Sequence, residues 1–211
     1  MLNALIKEPD GIARCGWACG SDAYSKYHDE EWGVPTRDDR WIFEKICLEG
    51  FQSGLSWLTI LNKRENFRKA FANFEIEKVA RFDSRHVDQL MKDTGIIRHR
   101  GKIESTINNA KRALEMKEEF GSLAAFFWKY ERRSKVPPMK SSKVDSGMVS
   151  KTAESTELSK ELKRRGWGFT GPTTAYAFMQ ASGIVNDHMY GCEARGRCKK
   201  LRTEFEVPKP K

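Results

Sequence analysis

No run of about 18 apolar residues, the length that spans a bilayer, occurs anywhere in the chain. The segment from Met1 to Arg14 carries Lys7, Glu8, Pro9 and Asp10 where an export signal needs an apolar centre. These two absences set aside a membrane-spanning helix and a secreted product, so a soluble, intracellular protein is expected. Cysteine is sparse and odd in number, at Cys15, Cys19, Cys47, Cys192 and Cys198. Without an export signal that argues against a disulfide framework and leaves metal binding or burial. Internal repeats are missing, and the apolar–polar alternation of half-buried strands is hard to find.

What is present favours helices and a polyanionic partner. Lys and Arg number 38 against 29 Asp and Glu, a formal net charge of +9, which at this level suits nucleic acid or an anionic membrane surface. With 211 residues, 39% of them hydrophobic, the chain can bury one generous core or two small lobes. Residues 37–71 read as two helices. Asp38 or Asp39 caps the first, with Ile42, Ile46 and Glu49 following at i, i+4 and i+7, and the second starts near Ser56 with Trp57, Ile60 and Leu61 on one face. Short segments follow at 76–82 and 84–91, the latter behind a serine cap. Two further helical stretches between Gly101 and Trp128 are split by Gly121 and Ser122. The Lys-, Ser- and Pro-rich stretch at about 132–155 reads as a long, mobile surface loop. A helix at 158–165, a hairpin from Gly166 to Gly171 and a helix at 172–182 with proline in its first turn come next. The expected architecture is all-α: an extension at 1–13, a domain at 14–194 with a helix-hairpin-helix unit at about 158–182, and a basic, frayed tail at 195–211.

Four features carry candidate chemistry, each with a plainer reading beside it. The hairpin glycines permit positive φ angles and let backbone N–H groups face outward before the next helix. Gly166, Gly168, Thr170 and Gly171 are thus candidates for holding a DNA phosphate, with Lys163, Arg164 and Arg165 adding positive charge; an ordinary glycine-capped helix connection fits equally well. Cys15 and His28 have twelve residues between them, and His188 and Cys192 form an i, i+4 pair that one helical turn places on one face. Together they make a Cys₂His₂ set, which would hold zinc with no open position and tie the N-terminal segment to the C-terminal one. Cys19 and Cys198 are equally available thiols, and simple burial explains any single Cys or His. Glu49 puts a carboxylate on an otherwise apolar face, which calls for an ion pair to a nearby Arg or for a cationic ligand. Tyr24, Tyr27, Trp32 and Trp57 crowd the flanking segments as pocket walls or as core. Lastly, Arg98 and Arg100 in Arg98-His99-Arg100-Gly101-Lys102 contact phosphates or make a solvated turn.

Several ordered motifs bring in a resemblance. The hairpin, the helix after it and Ile184-Val185-Asn186-Asp187-His188 resemble the helix-hairpin-helix DNA glycosylases. Arg14-Cys15-Gly16-Trp17, Tyr27-His28-Asp29-Glu30-Glu31-Trp32-Gly33-Val34-Pro35, Ile46-Cys47-Leu48-Glu49-Gly50, Gly54-Leu55-Ser56-Trp57, the stretch from Gly95 to Ile103, and Phe178-Met179-Gln180-Ala181 are similar to the 3-methyladenine DNA glycosylase I family. The similarity runs from about Arg14 to about Cys192 and is poorest near 132–155. It implies a helix-hairpin-helix glycosylase fold and a structural Zn²⁺ on Cys15, His28, His188 and Cys192. It also implies base-bonding roles for Glu49 and Tyr27 and a stacking role for Trp57, with Trp32 and Tyr24 as weaker candidates for the pocket wall. Thr173 stands where the superfamily's lyase members carry a Schiff-base lysine, which implies a glycosylase without lyase activity. Asn186 stands where most members place a catalytic aspartate, which leaves Asp187 as a less favoured base.

The implied activity has a physical logic. Methylation at N3 makes adenine cationic, so stacked aromatics hold it by cation–π attraction while a carboxylate pairs with its charge. Such a base is already a good leaving group, and hydrolysis needs little acid catalysis. Base flipping, then attack by water on C1′, is the implied course, with Leu55 as an apolar wedge in the vacated gap or simply as a buried leucine. The expected partner is double-stranded DNA containing alkylated purines, with no membrane involved, bound by a monomer. Rival readings are a noncatalytic zinc-stabilised DNA-binding module and a glycosylase for a neutral lesion. A carboxylate at Glu49 suits neither: the first has no use for one against DNA, and the second calls for the missing aspartate.

Overall fold

The computed structural model describes residues 4–131 and 149–211. Helices dominate, in keeping with the all-α expectation. The stretch at 4–15, which spans the end of the expected extension and the start of the domain, is an exception: β1 (Leu5–Lys7) pairs antiparallel with β2 (Ala13–Cys15), Leu5 opposite Cys15. Strands of three residues are too short to show alternation in sequence. They still set the start of the domain, because β2 ends on a buried cysteine.

Two helices frame the later argument. α1 (Asp22–Glu30) buries Tyr27 and His28 side by side. α2 (Asp39–Gln52) is capped by the Asp38 carboxylate, which accepts from the N–H groups of Arg40 and Trp41, and it buries every residue from Ile42 to Phe51. A helix buried all round sits at the centre of a fold, and α2 packs on α3 (Trp57–Asn62), α7 (Arg100–Phe120), α8 (Leu123–Phe127) and α10 (Pro172–Ala181). Ser56 caps α3 through the Thr59 N–H. Between them, α4 (Arg64–Ala70), α5 (Ile76–Val79) and α6 (Ser84–Leu90) wrap an aromatic cluster in which Phe51, Phe67, Phe71 and Phe74 meet with centroids 4.6–6.3 Å apart. Asp83 caps α6, one residue before the serine expected there.

α9 (Ala153–Arg164) begins five residues earlier than its apolar pattern indicates, behind a Thr152–Ser155 capping box. The expected mobile loop is therefore helical at its C-terminal end, and its portion at 132–148 lies outside the described residues. The frayed tail is corrected too. Residues 193–204 form α11 (Glu193–Glu204), Arg202 makes a bidentate pair with Glu131 at 2.5 and 2.6 Å, and Phe205 packs on Trp128 at 4.6 Å. A polar helix docked through two small buried residues, Ala194 and Cys198, and one arginine carries only a faint hydrophobic period to read.

Candidate base pocket and metal cluster

Glu49 is 6% exposed, on α2, which packs on α3. Its partner is not an arginine. Lys45, one turn earlier and fully buried, brings its Nζ within 3.1 Å of the Glu49 carboxylate. The same ammonium donates a short hydrogen bond to the Tyr27 hydroxyl and lies 3.5 Å from the Trp57 ring centroid and 4.4 Å from that of Tyr27. Glu49, Tyr27 and Trp57 thus surround one cation. Burial pushes the Glu49 carboxyl up while Lys45 pulls it back, and burial pushes Lys45 down to about 8 against the pull of Glu49 and Glu31. The Tyr27 hydroxyl is raised well above the ordinary tyrosine value by burial and by the nearby carboxylates. The Trp57 indole N–H is buried without a hydrogen-bond partner, so an acceptor brought beside it would find a donor ready.

Of the other aromatics, Tyr24 is half-buried and accepts from the Leu58 N–H at 2.9 Å, which fixes the start of α3 beside Trp57. Trp32 faces elsewhere. Its ring packs on His188 at 4.6 Å and on His28 at 6.1 Å, and it reaches Tyr27 only through Trp17. Trp32 thus packs beside the Cys/His cluster, with Trp17 at 4.9 Å on its other side. Trp17, which the sequence reading did not single out, bridges the two sites.

Cys15, His28, His188 and Cys192 are all buried, with ligand atoms within 4.8 Å of one another. Cys192 Sγ is 3.5 Å from His28 Nε2 and 3.6 Å from His188 Nδ1, the two imidazole nitrogens are 3.1 Å apart, and Cys15 Sγ is 4.0 Å from His188 Nδ1. The nitrogens facing away from the cluster are engaged: His28 Nδ1 meets Asp29 Oδ1 at 2.8 Å and His188 Nε2 meets the Trp32 carbonyl at 2.9 Å. Each ring then turns its other nitrogen, as an acceptor, into the cluster. Arg14 holds Asp29 from behind, at 2.7 Å. The neighbouring Cys15 thiol and the two imidazoles hold the Cys192 thiol below its ordinary value against the effect of burial. The two spare thiols are not equivalent. Cys19 bonds back to the Cys15 carbonyl, and Cys198 lies on the far side of His188, 3.5 Å from Nε2. Gly33 is required here, since a Cβ at its φ of +82° would come within 2.9 Å of His188 Nε2.

The outer face is assembled from three segments. Leu55 is 41% exposed in the turn between α2 and α3, which excludes the plain buried reading. Lys102 fixes that turn by donating to the Phe51 and Ser53 carbonyls at 2.9 and 2.6 Å. Arg98 is exposed with no ion pair among the described residues, whereas Arg100 is bound to Asp88 at 2.7 Å. The connection from α9 to α10 is pinned from inside by α7: Asn109 accepts from the Gly168 N–H at 2.9 Å and donates to its carbonyl, and Asn108 donates to the Gly166 carbonyl. The Gly166 N–H is spent on the Lys163 carbonyl. The expectation that Gly166 and Gly168 turn their N–H groups outward is therefore corrected. Thr170 and Gly171 remain, their N–H groups making no hydrogen bond among the described residues. Asp187 accepts from Tyr176 and Gln180 on α10, and Asn186 donates to the Arg195 carbonyl at the start of α11.

Comparison with known proteins gives a consistent result. Residues 17–195 match the family described as methyladenine glycosylase. The chain is similar to DNA-3-methyladenine glycosylase 1 of Escherichia coli strain K12, at 46% identity over 181 residues, covering 86% of this chain and 96% of that protein. It is also similar to the DNA-3-methyladenine glycosylase of Haemophilus influenzae Rd, at 42% identity, covering 86% and 97%. Among solved structures it resembles 3-methyladenine DNA glycosylase I of Staphylococcus aureus, a structure concerned with 3-methyladenine recognition, with a TM-score of 0.79 at 34% identity, covering 86% and 96%.

Proposed function

The chain belongs to the methyladenine glycosylase family, and we propose that it flips 3-methyladenine out of double-stranded DNA and hydrolyses its bond to deoxyribose. The observation that carries this reading is the buried cage of Glu49, Tyr27 and Trp57 around a single positive charge. A cationic purine answers each wall: its charge and exocyclic amine suit the Glu49 carboxylate, its ring lies against Trp57, and Tyr27 supplies a hydroxyl at its edge. Adenine without the methyl group is neutral and gains little from a carboxylate.

Flipping costs a few kcal/mol and least for a damaged base. Leu55 fills the gap in the stack, and the N–H groups of Thr170 and Gly171 with the Arg98 guanidinium hold the backbone without reading sequence. Water then adds to C1′ and gives up one proton to solvent, the C1′–N9 bond breaks, and the electron pair leaves with a base whose positive charge it neutralises. The products are free 3-methyladenine and an abasic sugar. Thr173 offers no amine for a Schiff base, so the chain stops there and does not cut the strand.

The cluster of Cys15, His28, His188 and Cys192 suits zinc. A tetrahedral ion with ordinary Zn–S and Zn–N lengths separates its ligands by about 3.4 Å for N–N and about 3.6 Å for S–N. Three of the four separations given above lie within a few tenths of those. Four protein ligands leave no position for water, so the ion would supply cross-linking, not activated hydroxide.

The test is release of bases from DNA treated with a methylating agent, identified by mass spectrometry, with Glu49→Ala and Trp57→Ala alongside. Opposite charges about 4 Å apart at an effective dielectric of about 20 interact by about 4 kcal/mol. The carboxylate is already paired in the free protein, so the loss for Glu49→Ala should be smaller, about 100-fold in kcat/KM. No base released by a folded, metal-loaded chain would leave a noncatalytic DNA-binding module as the reading.

A further inference from the structure

The cage is complete before any base arrives. Lys45 is a cation of this chain's own, seated against the Trp57 face and the Glu49 carboxylate, where the proposed substrate must lie. Both cannot remain charged there, because Glu49 alone pairs with them directly, Glu31 being already bound to Arg64, and the dry surroundings screen repulsion poorly. We propose that Lys45 is a specificity-determining residue: its ammonium holds the pocket in the free enzyme, and a cationic base displaces it by taking over Glu49 while Lys45 gives its proton to solvent. A neutral purine must evict the ammonium without replacing its charge, so the resident cation raises the cost of the wrong base more than that of the right one. This inference rests on the cationic-base reading of the pocket.

The geometry around Lys45 supports the exchange. The groups facing it are the Tyr27 hydroxyl from α1, Glu31 just beyond α1, Glu49 on its own helix, the Trp57 ring from α3 and the Arg64 guanidinium from α4, which is itself paired with Glu31 and Glu44 at 2.6 and 2.5 Å. Arg64 and desolvation oppose the ammonium; the two carboxylates hold it. Burial has already lowered Lys45 to about 8, so a second cation in the cage suffices to release the proton near neutral pH.

The experiment is the pH dependence of KM and kcat between pH 6.5 and 9.5 on DNA containing 3-methyladenine, for the wild type, Lys45→Met and Lys45→Arg. One proton released on binding makes the wild-type KM fall about tenfold per pH unit up to about pH 8 and then level, with kcat carrying little of the change. Lys45→Met should lose that slope and bind about 30-fold more tightly than wild type at pH 6.5, the ratio set by 1.5 pH units below 8. Lys45→Arg keeps an untitratable charge, and its KM should be high and flat. A flat wild-type KM, or a slope that persists in Lys45→Arg and so belongs to Glu49, overturns the proposal while leaving base release intact. A flat wild-type profile overturns the proposal even where a variant fails to fold, and Lys45→Arg or Lys45→Met, whichever folds, assigns a sloping one. Absence of any released base would instead defeat the glycosylase reading itself.

Discussion

Removal of the proposed zinc from the Cys/His cluster should cost the fold far more than its few contacts indicate. Cys15 and His188 are 173 residues apart in the chain, and His28 and Cys192 are 164 apart. An unfolded chain must close a loop of that size to gather the same ligands, at a chain-entropy cost of about 5 kcal/mol. The folded chain has them gathered already, within 4.8 Å, with both imidazoles oriented by Asp29 and the Trp32 carbonyl. Metal therefore favours the folded over the unfolded state by about 5 kcal/mol at saturation. In a protein of this size each kcal/mol is worth about 2–4 °C in Tm, so stripping the ion should lower Tm by about 10–20 °C.

The assay is thermal unfolding followed by circular dichroism, before and after chelation, with metal content measured on both samples. Cys192→Ser should lose the metal and show the same drop. Cys19→Ser should keep both metal and Tm, since that thiol only reaches back to the Cys15 carbonyl. A purified chain with no bound metal, or a verified metal-free chain within about 3 °C of the loaded one, would refute the reasoning.

Two further expectations concern the outer face. Arg98→Ala should reduce the slope of log affinity against log salt by about 1, as expected for one lost phosphate contact, while Arg100→Ala should change it less because Asp88 already neutralises that side chain; binding titrations across salt concentrations distinguish the two. Gly168→Ala should destabilise the chain by about 2 kcal/mol or more, because its Cβ would collide with the Ser105 hydroxyl. Adding Ser105→Ala should recover much of that loss in denaturant unfolding, and equal stabilities for the single and double variants would show that the collision is not the cause.

The parts of this fold legible in the sequence were those with local chemistry. Asp38 and Ser56 are caps because their side-chain oxygens meet the first free N–H groups, and Gly121 ends α7 at a φ of +85°. The four side chains of the Cys/His cluster were legible as a set through an i, i+4 pair, but spacing could not choose among thiols. That choice depends on which side of the His188 ring each cysteine reaches, a matter of tertiary packing. The partner of Glu49 was missed although its signal was local. Lys45 lies four residues earlier, the spacing at which opposite charges meet on a helix. The apolar stripe through Ile42 and Ile46 drew attention to the wrong neighbour type. The connection between α9 and α10 was legible as a short glycine-bearing link, but the direction of the Gly168 N–H was not, because Asn109 of α7 accepts it from 59 residues away.

The base cage and the metal cluster share one turn of helix. Tyr27 and His28 are consecutive residues of α1, and their side chains leave the helix about 100° apart. One faces Lys45 and Trp57, the other Cys192 and His188. Trp17 packs against both rings, at 6.4 and 5.4 Å, and closes the space between the sites. An ion that fixes His28 to the C-terminal segment therefore fixes the pitch and rotation of α1, and with them the position of the Tyr27 hydroxyl over the cage. A metal with no open coordination position can in this way act on recognition of a base it never touches, by holding rigid the helix that presents one wall of the pocket.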